Sequence, residues 1–220
     1  MVNRARPRPT GPSLVVLSAA CVGLLFGGLG VGVALGGVMP LPYGPLPPIQ
    51  EYVRNHRVAV QTIAVAMFAS SVPLAGYAAA ASARLRRLDD TGPRPTIALT
   101  GGILAAGSLA LAGLVGWTLT RPEVSADAAL VRALYTLVFL IGGPGHVVAL
   151  GVLIAGMAAA GFMPKPVAWI GLAIAVLAES ATAVLVWTRL GMILPVARVL
   201  ALGWLVVAGA LLPRDDLDAM

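Results

Sequence analysis

Six stretches of the chain are almost uninterruptedly apolar: residues 14–35, 58–81, 97–119, 133–161, 167–187 and 196–212. Polar residues and prolines collect in the short segments between them. An apolar run of about 20 residues is the length that carries a helix through the roughly 30 Å hydrocarbon core of a bilayer. In that core every backbone polar group must be paired within the segment, so the runs predict helices. The pattern therefore predicts an all-α, polytopic transmembrane bundle of about six spans over residues 14–213. A basic tail (1–13) precedes it and an acidic tail (214–220) follows it.

The connecting segments have individual characters. Prolines at 40, 42, 45, 47 and 48 make residues 36–48 extended and stiff. Pro48 is placed to open a helix with Glu51 in its first turn, where the helix dipole favours an acid. Residues 49–57 (IQEYVRNHR) read as an interfacial lead-in to the second span, with Tyr52 at headgroup level. The first run is too long for a signal-peptide core of about 7–15 residues and has no small-x-small site after it. It also carries two GxxxG-type spacings, Gly23/Gly27 and Gly28/Gly32/Gly36, which allow close approach of a second helix. That helix could belong to this chain, to a second copy or to a partner membrane protein.

Composition agrees with the pattern. The chain is 59% hydrophobic and 11% charged, with a mean hydropathy of +0.92, against roughly 25% charged residues in soluble domains. The formal charge of +6 is spread over the loops and is not a nucleic-acid footprint. With six spans, Arg4, Arg6, Arg8, Arg84, Arg86, Arg87, Arg94, Lys165 and Arg214 fall on one side, nine in all. Arg54, Arg57, Arg121, Arg132, Arg189 and Arg198 make six on the other. The positive-inside rule then puts both termini in the cytoplasm. Richness in Ala, Gly, Pro and Arg, with Lys165 the only lysine, points to a GC-rich bacterial source.

The fourth run contains the one local anomaly, Gly142-Gly143-Pro144-Gly145-His146. Residues 133–161 would extend about 43 Å as a straight helix, longer than a bilayer core needs. Pro144 lacks an N–H and opposes the carbonyl four residues back, while glycines permit unusual backbone angles. The segment predicts a kink or break facing the bundle interior, with a seventh membrane element if the run splits.

The turn near Pro164 makes spans four and five a hairpin. His146 lies 18 residues before that centre and Glu179 15 after it, a depth difference of about 4.5 Å. Glu179 is the only acid inside any span, and an intramembrane acid should face inward toward a partner. The candidate polar site is therefore His146 and Glu179, with Arg198, His56 and Gln61 as neighbours in the outer half of the bundle. The competing reading makes His146–Glu179 interhelical glue, worth about 0.6 kcal/mol per bond. Trp117, Trp169, Trp187 and Trp204 read mostly as interface anchors.

Several chemistries are missing. Cys21 is the single cysteine and no metal-ligand spacing exists, so neither a metal nor any other cofactor is expected. There is no P-loop, HExxH or G-x-S-x-G. The segment Phe139 to Gly151 (FLIGGPGHVVALG), followed by Trp169, Gly171-Leu172 and Ala178-Glu179, resembles a family of uncharacterised bacterial multi-pass membrane proteins, a domain of unknown function. The stretch around Glu51-Tyr52 and His56-Arg57, and the closing WLVVAGALLP, are similar too. The resemblance implies a helical bundle in the bacterial plasma membrane and transfers no catalytic residue.

Three functional classes stay open. The first is binding or transport of a small molecule through the outward cluster around His146 and Glu179. The second is an accessory or sensory subunit packed on a partner. The third is an enzyme acting on a lipid-like substrate, with His146 and Glu179 as acid and base.

Overall fold

The computed structural model describes residues 13–88 and 92–212. The two charged tails, with Arg4, Arg6, Arg8 and Arg214, lie outside the described residues. Among the described residues nine α-helices run in order: α1 Leu14–Gly36, α2 Leu46–Asn55, α3 Arg57–Leu88, α4 Arg94–Thr118, α5 Pro122–Ala126, α6 Ala128–Leu140, α7 His146–Ala158, α8 Lys165–Ser180 and α9 Ile193–Leu211. A π-helical turn, Ile141–Gly145, joins α6 to α7 without a break. Six segments are long and apolar enough to cross a membrane: Leu14–Gly36, Arg57–Leu88, Arg94–Thr118, Ala128–Ala158, Lys165–Leu185 and Thr188–Leu211.

The spans form a closed ring. Each packs on the next in sequence, and α9 returns to α1 while also touching α7. Short connections favour neighbours of this kind. The side-chain distribution inverts that of a soluble protein. Val65 and Val72 on α3, Ile103 and Leu111 on α4 and Val176 on α8 point outward, whereas Ala78, Ala98, Ala105, Ala112, Ala178 and Ala208 are fully buried. Lipid tails solvate Leu and Val as well as a core does, so helix association rests on close van der Waals approach between small residues. At Gly156 a Cβ would lie 2.5 Å from Ala98 N, and at Gly101 one would lie 2.8 Å from the Val152 carbonyl carbon. The α4–α7 seam is thus backbone against backbone. Several serines inside the spans pair with their own helix, as Ser70 does with Met67 O at 2.8 Å, whereas Ser82 donates across to Pro95 O of α4 at 2.8 Å.

The surplus length of span four is taken up outside the spans, not by a break. The first turns of α6 join α2 and α5 in a cap whose core is Ile49, Tyr52, Val53, Leu119, Val131 and Tyr135. Asp127 caps α6, accepting from Leu130 N at 3.0 Å. Gln50 Nε2 donates to Ser125 O and Ala126 O at 3.2 Å each, tying α2 to α5.

Some boundaries differ from the sequence-based expectation. Helix α2 opens at Leu46, with Pro47 and Pro48 both inside its first turn. Glu51 consequently falls in its second turn and is exposed. Helix α3 runs on to Leu88 because 82–88 stays helical beyond the apolar stretch. The turn expected at 189–195 is a 3-10 segment, Thr188–Met192, followed directly by α9. Trp204 is no interface anchor: it is buried, its ring lies flush on Gly171, and its Nε1 donates to Val167 O at 2.9 Å.

Candidate functional site

The geometry begins with the backbone of Ile141–Gly145. In an α-helix the His146 N–H would bond to Gly142 O. Here it bonds to Ile141 O and Gly143 O instead. A π-turn adds a residue to one turn and accommodates the missing N–H of Pro144. It also turns the Gly142 carbonyl toward a side chain, and Arg198 Nη2 donates to it. Gly142 has to be small: a Cβ there would meet Met67 Cε at 2.8 Å and Ala112 Cβ at 3.1 Å.

His146, the first residue after the turn, is completely buried. Its Nδ1 lies 3.0 Å from Ala105 O on α4. A carbonyl can only accept, so Nδ1 carries the proton in this contact. Among the described residues Nε2 has no hydrogen-bond partner, and the same holds for the inaccessible Nε of half-buried Arg198. Arg198 is also near enough to His146 to act on it electrostatically. The π-turn thus gathers two polar side chains, each with an unpaired atom, in an otherwise apolar interior.

A cavity of about 320 Å³ opens beside this turn, with Met67, Phe139, Gly143, Leu194 and Arg198 among its walls. Residues 39–42 of the proline-rich connector form its roof. Side chains of the cap hold that roof through its carbonyls. Tyr135 OH donates to Pro40 O at 2.7 Å. Arg132 donates through Nη1 to Pro42 O at 3.1 Å and through Nη2 to Gly44 O at 2.9 Å. Tyr52 OH reaches Gly37 O at 3.3 Å, and burial pushes that phenol above its ordinary range, so it stays a neutral donor. The Tyr43 ring meets Phe139 edge-on at 5.3 Å between centroids.

The structure brings together part of the expected cluster. His146, Arg198 and Gly142 to Gly145 converge. Glu179 does not join them. It is exposed on α8, lies over Gly151, and has no hydrogen bond or ion pair among the described residues. The buried stripe of α8 is Gly171, Ile174, Ala175 and Ala178. Glu179 stands roughly 90° round the helix from its centre, since each residue advances 100°. Its carboxylate sits against Gly151, five residues along α7 from His146, and so the expected pair does not form. His56 is half-buried in the link between α2 and α3, its ring 5.0 Å from that of Tyr52, and stands apart from the cavity walls. Gln61 is exposed in a wide open groove between α1 and α3.

The two glycine spacings of α1 also separate. Gly28, Gly32 and Gly36 face Ala66, Ile63 and Ala59 of α3, whereas nothing lies within 4 Å of a Cβ at Gly23, Gly27 or Gly30. Arg132, Tyr135 and the 39–42 roof were absent from the sequence-based site. The signal for them was available in principle: a run of prolines needs outside donors for its carbonyls, and Arg and Tyr in a neighbouring amphipathic turn supply them. Among the described residues, no group of three His, Cys, Asp or Glu side chains is arranged for a metal. No family model, no curated protein and no solved structure matches this chain.

Proposed function

We propose that this chain is a small-molecule binding or transport protein of the bacterial plasma membrane, and that its site is the chamber between the π-turn and the 39–42 roof. The observation that carries this reading is the chamber itself: about 320 Å³, largely apolar, with an arginine in its wall. That size and polarity are typical of ligand pockets between the helices of bundles. With both termini in the cytoplasm, as the arginine distribution favours, the chamber belongs to the outward half. The π-turn borders it with Gly142 and Gly143, two residues without side chains.

The acid–base enzyme reading lacks its pair, because among the described residues Glu179 makes no hydrogen bond to His146. The accessory-subunit reading keeps one specific support, the open face of α1 at Gly23, Gly27 and Gly30.

Native mass spectrometry of the protein released from its own membrane, beside a Leu194→Trp variant, tests the proposal. Leu194 lines the chamber, and an indole there occupies it. Wild type should carry a bound small molecule that the variant lacks. Bare wild type, together with no thermal shift from any small apolar or amphipathic probe, would sink the idea.

A further inference from the structure

The chamber's chemistry is one-sided. Its walls and roof are Leu, Ile, Val, Met, Phe, Pro and Gly, together with Tyr135 and Arg198. The Tyr135 hydroxyl is committed to the roof. Arg198 is therefore the one charged group in the lining. Of its five N–H donors, one is engaged, with Gly142 O, among the described residues.

Among the described residues no carboxylate answers it. Glu51 and Glu123 are exposed in the cap, Asp127 caps α6, and Glu179 is exposed on α8 with its carboxylate beside Gly151. A guanidinium placed at membrane depth among apolar walls, without a counter-charge, is an arrangement that proteins keep for function. Its planar fork suits a carboxylate or phosphate oxygen pair better than it suits a lone carbonyl.

We propose that the chamber takes a short amphipathic anion, with its charged head on Arg198 and its apolar tail against Phe139, Met67 and Leu194. This rests on the binding reading above and names the ligand class for that same site. The volume limits the tail. At about 320 Å³ the chamber lies at the small end of the roughly 300–1,000 Å³ range of ligand pockets, so a short tail suits it and octanoate is a fitting probe. The occupant is thus a water-soluble organic anion seated under the roof, not a membrane lipid whose chains extend into the bilayer.

Thermal-shift titration of the full chain in detergent, with octanoate, 1-octanol and octylamine at one pH, tests the charge requirement. Saturable stabilisation by octanoate is expected, with 1-octanol at least tenfold weaker and octylamine inactive. Arg198→Met should weaken octanoate at least tenfold while leaving 1-octanol unchanged, and Arg198→Lys should fall between. If Arg198→Met does not fold, the Arg198→Lys and wild-type series still decide the matter. Equal stabilisation by octanoate and 1-octanol would overturn the anion assignment and leave the chamber standing as a binding site. No effect of any probe on wild type would overturn the chamber as well. A chain-length series of free acids from four to sixteen carbons separates the two sources of such a ligand. A maximum among the shorter acids supports a soluble anion held in the chamber, and affinity rising through sixteen overturns it in favour of a bilayer lipid.

Discussion

The two ends of span four are built on opposite principles. From His146 to Ala158 its helix packs on α4 with no space for a Cβ at Gly156, and on α8 with almost none at Gly151. At Ile141–Gly145 the same span widens into a π-turn, borders a chamber of about 320 Å³ and gathers polar atoms without partners. Glycine occurs in both halves, with contrary results. On the seam it admits a neighbouring backbone; in the turn Gly142 admits the side chains of Met67 and Ala112, and Gly142 and Gly143 border the chamber. Close packing and open space are thus divided along a single helix, and an open chamber contributes few dispersion contacts.

That division can be broken most directly at the seam. Gly156→Leu should cost about 3 kcal/mol or more, because the obstacle is Ala98 backbone and no rotamer change relieves it. Unfolding in detergent with increasing SDS would show it, and a variant as stable as wild type would mean that the seam has slack. Next in size is Tyr77→Phe. Its hydroxyl donates to Leu205 O at 2.8 Å in a fully buried position, linking α3 to α9, and its loss should cost about 1 kcal/mol in the same assay.

The chamber side should respond less. His146→Ala and Glu179→Gln should add in the double variant to within about 0.5 kcal/mol, as expected of residues that share no partner. A double-mutant cycle reads this, and strong coupling would restore the pair that the structure separates. The smallest effect is expected at Gly27→Leu, within about 0.5 kcal/mol for the isolated chain, since its surroundings are empty. A large loss of stability in native membranes, but not in detergent, would reveal a partner on that face.

Much of the architecture was legible because each span obeys a single requirement, an apolar length. The run at 14–35 became Leu14–Gly36, and the run at 97–119 became Arg94–Thr118. The anomaly at Gly142 to Gly145 was also visible, although a π-turn, not a break, absorbs it. What escaped the sequence was azimuth. Depth in a hairpin can be counted along the chain, but which side of α8 Glu179 occupies depends on how α8 rolls against α7, and that is fixed by Ala175 and Ala178 fitting beside Gly151. Trp204 escaped for a similar reason, because only the presence of Gly171 opposite makes room for an indole inside.

The roof over the chamber has one more consequence. Tyr52, Tyr135 and Arg132 hold it entirely through carbonyl oxygens of Gly37, Pro40, Pro42 and Gly44. A carbonyl is common to every amino acid, so these bonds do not read which side chains the connector carries. Apart from Tyr43, whose ring meets Phe139, and Met39, which packs on the cap core, the connector is free to exchange residues, and with them the surface it shows to the chamber, provided that its extended path is kept. The three anchoring side chains have no such freedom. On the binding reading proposed above, variation in what the chamber accepts can accumulate in the roof, while the helices beneath it keep the shape of the lid.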